Sequence, residues 1–308
     1  MRMAAVGWAW AVFAGCNGDA GGGSDAATAD AEVDSEVDSE VDSEVDSEVD
    51  SEVDVSPDFS TPQSQLQLEL ATWGLAFRGS IFAAPQVPFH TEAQRSGVCR
   101  LLTYTWVNCT PECAYPSRCV SGACRAPPAL MSAGPLTLSG FPGAPVTIPE
   151  ADRGVYFFQS EALTVADAGP HLALAAPGTA DVSAFVLEVG PVAAPVPAAD
   201  WSAALDARAA GADVTLTWSD VDPGSRIYLR MTTGVGTHGG ISPVEVECES
   251  PDTGQLVLPG AYLDLLYGAS AWSCGECGDN NLWRYRAATT TSGIQFRAEA
   301  RTTFFFRP

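Results

Sequence analysis

From Leu66 onward, apolar and polar residues along the chain alternate with a period of two rather than 3.6. The clearest run is Ile294 to Arg301, where Ile, Phe and Ala alternate with Gln, Arg, Glu and Arg before Phe304, Phe305 and Phe306. Val214, Leu216 and Trp218 alternate with threonines, Ile227, Leu229 and Met231 recur at every second position, and Val244, Val246 and Cys248 alternate with Glu245, Glu247 and Glu249. Leu282 to Tyr285 continues the same style. A strand places successive side chains on opposite faces, so each run predicts a strand with one apolar face and one wet face. Turn signals such as Asp222-Pro223-Gly224 and Gly234-Val235-Gly236 separate the runs, and 22 prolines with 29 glycines leave little room for helices. Only Ala199–Ala210 and Tyr262–Leu266 read as helical. The pattern predicts an all-β fold: an antiparallel β-sandwich with a small disulfide-rich insertion, preceded by a disordered acidic tether.

The first residues follow a different logic. Arg2 and the 11 apolar residues Ala4 to Ala14 have the form of a secretory signal. At about 1.5 Å per residue such a helix reaches roughly 17 Å, about half the hydrocarbon thickness of a bilayer. Phe13-Ala14-Gly15-Cys16 resembles the lipobox of bacterial lipoproteins, with small residues before the cysteine and a departure at Phe13, where the family usually has Leu. The resemblance implies that Cys16 becomes the acylated N-terminus of the mature chain and that the protein joins a membrane through covalent lipid. The alternative is a plain secretory signal with an incidental Cys16. Two or three acyl chains hold a protein on a bilayer where one holds it marginally. Asn17 is not the Asp that retains such proteins at the inner membrane, so by analogy the outer membrane or cell surface is favoured within the cell envelope.

Behind Cys16 lies a stretch without periodicity of either folded kind. Glu-Val-Asp-Ser is repeated five times from Glu32 to Ser51, and Asn17 to Ser60 holds 16 acids and no cation. Like charges four residues apart oppose a helix, and one Val in four offers too little apolar area to offset the entropy of ordering. The segment reads as an expanded spacer. It also carries most of the formal charge of −23: from Thr61 onward there are 22 acids against 14 arginines. All 15 basic residues are Arg. An acidic body repels phosphate backbones, so nucleic acid is not an expected partner. The resulting organisation is a signal peptide over 1–15, lipidated Cys16 and tether over 16–60, strands with a cysteine-rich segment over 61–131, and a sandwich over 132–308.

Setting Cys16 aside leaves Cys99, Cys109, Cys113, Cys119, Cys124, Cys248, Cys274 and Cys277, which in an exported chain read as disulfide candidates with 105 pairings. Five lie in one cluster and three in another. If all are oxidised, at least one bridge joins the clusters. The reading is that Cys109, Cys113, Cys119 and Cys124 close a small knot, and that Cys99 reaches Cys248 or one of the Cys274/Cys277 pair. Cys274-Gly275-Glu276-Cys277 lacks the helix that would follow a thioredoxin motif and lacks the second pair a zinc site needs, so a structural bridge in a hairpin loop is the default.

Several catalytic signatures fail on context. Asp252-Thr253-Gly254 has no second copy and follows Glu-Ser-Pro rather than an apolar strand, so it reads as a turn. Gly236 to Gly240 lacks an accompanying G-x-S-x-G. His90, His171 and His238 have no paired spacing. Asp220, Asp222, Glu245, Glu247 and Glu249 could gather calcium, but alternating Glu reads first as a wet strand face. The expectation is therefore no catalytic set, no metal and no cofactor.

The wording of the body, NCTPECAYPSRCVSGACRAPP, SAGPLTLSGFPG, LTVADAG, VTLTWSD and VECESPDTGQLVLP, resembles uncharacterised surface lipoproteins of myxobacteria and related bacteria, which also carry acidic repeats behind a lipid cysteine. The resemblance implies an anchored, β-rich, cysteine-stapled body and adds no chemistry. The leading reading is a monomeric, non-enzymatic interaction module of the envelope with a glycan or protein ligand. The alternatives are a carbohydrate-binding module or secreted hydrolase stacking sugars on Trp201, Trp272 or Trp283, and a structural envelope spacer. Paired carboxylates about 5 to 10 Å apart in a cleft would favour a glycosidase.

Overall fold

The computed structural model describes residues 57, 59, 63–104, 109–120, 122–232, 242–269 and 280–305. Cys16, the acidic repeats, His238, Trp272, Cys274 and Cys277 lie outside the described residues. Nineteen strands follow in chain order: β1 Ser64–Leu70, β2 Leu75–Ser80, β3 Thr91–Ser96, β4 Cys99–Thr103, β5 Arg118–Val120, β6 Ala123–Arg125, β7 Leu136–Ser139, β8 Val146–Ile148, β9 Glu150–Asp152, β10 Val155–Ser160, β11 Leu172–Ala176, β12 Phe185–Val189, β13 Val196–Pro197, β14 Val214–Ser219, β15 Arg226–Thr232, β16 Val244–Pro251, β17 Gln255–Leu258, β18 Asn280–Thr289 and β19 Ile294–Phe304. Among the described residues the α-helices are α1, Trp201–Asp206, and α2, Gly260–Ala269, beside a 3-10 turn over Val165–Asp167. Both helices fall where the sequence placed them.

One sheet of ten strands organises the molecule, in the order β3-β4-β16-β15-β18-β19-β1-β2-β10-β9. Its pairings are antiparallel except β1 with β19, which run parallel from Ser64↔Ile294 to Glu69↔Glu299. Strands on both sides of residue 131 thus share one sheet. A four-stranded sheet, β12-β11-β7-β8, and a three-stranded one, β13-β14-β17, complete the sandwich.

Both hydrophobic cores lie on the same face of the large sheet. In β19, Ile294, Phe296 and Ala298 enter the first core and Phe304 enters the second; all sit at even positions, which share one face of a strand. The first core packs Leu66, Leu68, Phe77, Tyr156 and Phe296 against Leu138 and Leu174 of the four-stranded sheet. The second packs Leu229, Met231, Val246 and Leu282 against Leu216, Leu258 and the apolar residues of α1 and α2. Trp201 belongs to this core: it is 3% exposed, donates its indole N–H to the Thr217 carbonyl at 2.8 Å and meets Phe304 edge-on. Burial of each such side chain contributes about 1.5 to 3 kcal/mol. Close approach is built in at Gly79, where a Cβ would come within 2.5 Å of the Gln65 carbonyl oxygen across the β1–β2 ladder.

Between the two cores the even positions of β18 turn polar. Arg284, 1% exposed, donates from Nε to Asp252 at 2.7 Å and from its terminal nitrogens to the carbonyls of Ala193 and Asp220. Asp220 adopts a left-handed φ of 63°. Asp252 also accepts from the Trp218 indole at 2.8 Å, from the Asp222 amide at 2.9 Å and from the Ser225 hydroxyl at 3.3 Å. Asp252-Thr253-Gly254 is thus the turn from β16 to β17, and its carboxylate ties that turn to Arg284.

Three disulfides staple the described residues. Cys99–Cys248 links directly opposed positions of β4 and β16 in the second core, 149 residues apart in sequence. Closing a loop of that length corresponds to about 5 kcal/mol in the chain-entropy account. Cys109–Cys119 and Cys113–Cys124 close the knot around the β5–β6 hairpin. No helix among the described residues is long and apolar enough to cross a membrane.

Candidate functional site

The odd positions of β18 and β19 and their neighbours form the other face of the ten-stranded sheet, and no residue of either core points that way. Alternation predicted this face to be wet. Instead Glu245, Glu247 and Glu249 are 4%, 8% and 1% exposed, and Glu299 is 1% exposed. These side chains are buried against partners of opposite charge and against tyrosines. Arg100 on β4 donates to Glu247 at 2.6 and 2.8 Å, Arg230 on β15 reaches Glu245 at 2.7 Å, and Arg301 on β19 reaches Glu69 at 2.7 Å. The Tyr228 hydroxyl donates to Glu247 at 2.6 Å, and both Arg226 and the Tyr285 hydroxyl donate to Glu249. Arg297 lies with its guanidinium 3.9 Å from the Tyr285 ring centre, and its Nε approaches Glu299 to 2.7 Å at an angle that makes a charge contact rather than a hydrogen bond.

Burial raises three groups of this lattice, Tyr228, Tyr285 and Glu299. Desolvation, then the charge of Glu247, holds the Tyr228 hydroxyl well above its usual range, and desolvation with the hydrogen bond to Glu249 does the same for Tyr285. Burial also raises the Glu299 carboxyl, with Arg297 opposing it. These groups are protonated or paired as structural members. The carboxylates do form a cluster, but each already faces an Arg or a Tyr, which is not the arrangement of a free acid and a free nucleophile.

The carboxylates weighed for calcium divide between faces: Asp222 sits on the core side with Arg286, at 2.7 Å, while Glu245, Glu247 and Glu249 lie opposite. The sulfurs of Cys109, Cys113 and Cys124 approach within 4.8 Å of one another, and all three are taken up in disulfides rather than available as thiolates. His90 Nε2 lies 2.7 Å from the Ser242 carbonyl and 3.5 Å from Glu245, a packed position. Of the three tryptophans considered for sugar stacking, Trp201 is core and Trp272 lies outside the described residues. Trp283 is half-buried on the outer face, 5.5 Å from Tyr228 between ring centres.

Sequence reasoning missed a concavity that opens at the margin of this face. β15 begins at Arg226, opposite Tyr285, whereas β18 continues to Thr289. The resulting notch is a cleft of ≈ 410 Å³ between Arg226, Tyr285, Ala287 and Thr289 on one side and Glu188 and Val189 of β12 on the other. The offset between the start of β15 and the end of β18 opens it, and that offset follows from long-range register. Among the described residues, Glu188 has no hydrogen-bond or charge partner, and it is exposed.

No family model matches this chain, and no curated protein matches it. Two solved structures are similar to it at low level. One, from work giving structural insight into host cell surface retention of a 1.5-MDa bacterial ice-binding adhesin, has 9% identity and a TM-score of 0.20 over 80% of this chain and 66% of that one. The other, a Ca²⁺-stabilized adhesin that helps an Antarctic bacterium reach out and bind ice, has 10% identity and a TM-score of 0.19 over 80% of this chain and 50% of that one. The chain spans less than two thirds of either.

Proposed function

We propose that this protein is a lipid-anchored interaction module of the cell envelope, held on a membrane through Cys16 and carried outward on the acidic tether. The outer membrane or cell surface is its proposed address, and the body is a binding module rather than an enzyme. The observation that supports a binding role is the use made of the titratable groups. Asp252 with Arg284, Glu247 with Arg100 and Tyr228, and Glu249 with Arg226 and Tyr285 are locked as structure, while the cleft beside β18 keeps an exposed, unmatched Glu188. Similarity to lipobox sequences supports the anchor. Replacing Cys16 by Ser in the full chain tests it: fatty-acid labelling and membrane partitioning are both lost, and unchanged partitioning overturns the anchored reading.

A glycan ligand is the second reading, favoured by Trp283 beside Tyr228 on the outer face. A glycan array probed with the full chain gives hits that weaken when Trp283 is replaced by Ala if this reading holds.

A further inference from the structure

We infer that the cleft beside β18 is a strand-addition site for a short extended peptide of another protein, one that places a cationic side chain against Glu188. The inference rests on the reading of the body as a binding module and supplies its ligand class.

The backbone direction of β18 decides which groups face the cleft. At the end of the β18–β19 hairpin, the Thr290 amide donates to the Ile294 carbonyl at 2.9 Å. In an antiparallel ladder the N–H and C=O of one residue point to the same side, and successive residues alternate. Even positions of β18 therefore bond to β19, and odd positions turn the other way. By that alternation Asn281, Trp283 and Tyr285 are the β18 residues whose backbone groups turn toward their β15 partners Arg230, Tyr228 and Arg226. Ala287 and Thr289 are the next odd residues, and β15 has already ended. Two N–H and two C=O groups thus project into the cleft with no strand opposite, along about 10 Å of extended backbone. The nearest carbonyl beyond the start of β15, that of Ser225, is occupied by the Asp252 amide at 3.2 Å.

Both outer ends of the same sheet are blunted against such pairing, which natural edges achieve with bulges, charges and shortness. β3 carries a register shift between Glu92 and Gln94 and is flanked by the Glu92–Arg95 ion pair. β9 has three residues, two of them acidic. The notch has neither device: Ala287, Ala288 and Thr289 are small, uncharged and unbulged. Its far wall is β12, itself the edge of the four-stranded sheet. A slot between two open strand edges matches an extended peptide, whose own N–H and C=O groups repeat at the spacing of the strand.

Charge selects among peptides. Arg286 faces Asp222 and Arg226 faces Glu249, so the unmatched charge at the cleft is the Glu188 carboxylate. A sugar lacks a stacking platform here, since the Tyr285 ring is covered by Arg297 and its hydroxyl is bonded to Glu249.

The test uses the full chain and three synthetic peptides, read by calorimetry: Thr-Val-Lys-Val-Thr with capped ends, the same peptide N-methylated at alternate amides, and the same peptide with Glu for Lys. The Lys peptide binds, N-methylation weakens it at least about tenfold, and Glu weakens it about threefold. Ala287→Pro removes an N–H that faces the cleft and not β19, and abolishes binding. Because that variant can perturb the hairpin, Glu188→Lys provides a second arm and inverts the preference between the Lys and Glu peptides. Equal binding of the N-methylated peptide, or a preference unchanged in Glu188→Lys, overturns the inference. Absence of peptide binding alongside glycan-array hits overturns it and leaves the binding module standing; absence of both removes both.

Discussion

On the inner face of the ten-stranded sheet Leu68, Phe77, Leu229 and Phe296 are sealed by other apolar side chains; on its outer face Glu69, Glu249 and Glu299 lie against Arg301, Arg226 with Tyr285, and Arg297. The inner face excludes water, whereas the outer one buries its carboxylates under arginines that stay partly exposed, Arg230 at 45% and Arg301 at 39%, and their energetics differ in kind. Apolar burial is non-directional and scales with area, so the inner face tolerates small shifts and resists loss of volume. The outer face depends on matched partners, because removing water from a charge is costly unless an opposite charge and hydrogen bonds replace it. One sheet thus carries a packed core and an ionic lattice back to back, and the lattice gives orientation more than net stability.

That contrast breaks most visibly on the inner side. Phe77→Ala opens a cavity in the first core where the parent side chain has no exposure, and lowers the unfolding free energy by about 3 to 5 kcal/mol in urea titration. A loss below about 1 kcal/mol would mean that this face is not closely packed. On the outer side a double-mutant cycle on Arg100 and Glu247, partly buried and in contact at 2.6 Å, returns a coupling of about 1 kcal/mol. A coupling as large as the about 3 to 5 kcal/mol lost in Phe77→Ala would erase the distinction between the faces.

The smallest effect is a slope. Burial raises Glu299 above its usual 4.5, so the folded protein keeps that proton to a higher pH than the unfolded chain does. The contribution of Glu299 is complete below the unfolded value and is lost as pH rises through the folded one. In Glu299→Gln that loss disappears, so the urea midpoint of the variant relative to the parent rises as the pH is raised above the ordinary glutamate range. A difference that is flat with pH, or that falls, contradicts the assignment.

The strands were legible because alternation is a local property: Val214 to Trp218, Ile227 to Met231 and Ile294 to Arg301 each show their two faces in the sequence. Helices α1 and α2 were legible for the same reason. What covers a face was not. Glu245, Glu247 and Glu249 alternate as a solvated strand would, and only the register that brings Arg100, Arg230, Tyr228 and Tyr285 beside them buries these carboxylates. For Cys99 the sequence left Cys248, Cys274 and Cys277 open as partners, and β4 lying against β16 selected Cys248. The cleft left no trace in the sequence, since it arises from where β15 starts relative to the end of β18.

The placement of β1 has a mechanical meaning. Although first in the folded body, it is an interior strand, bonded on one side to β19 in parallel and on the other to β2. A tug delivered at Ser64 along the strand loads both rows of bonds in shear, all at once, instead of peeling them singly as it would from a hairpin end. A body pulled from that point resists through its middle.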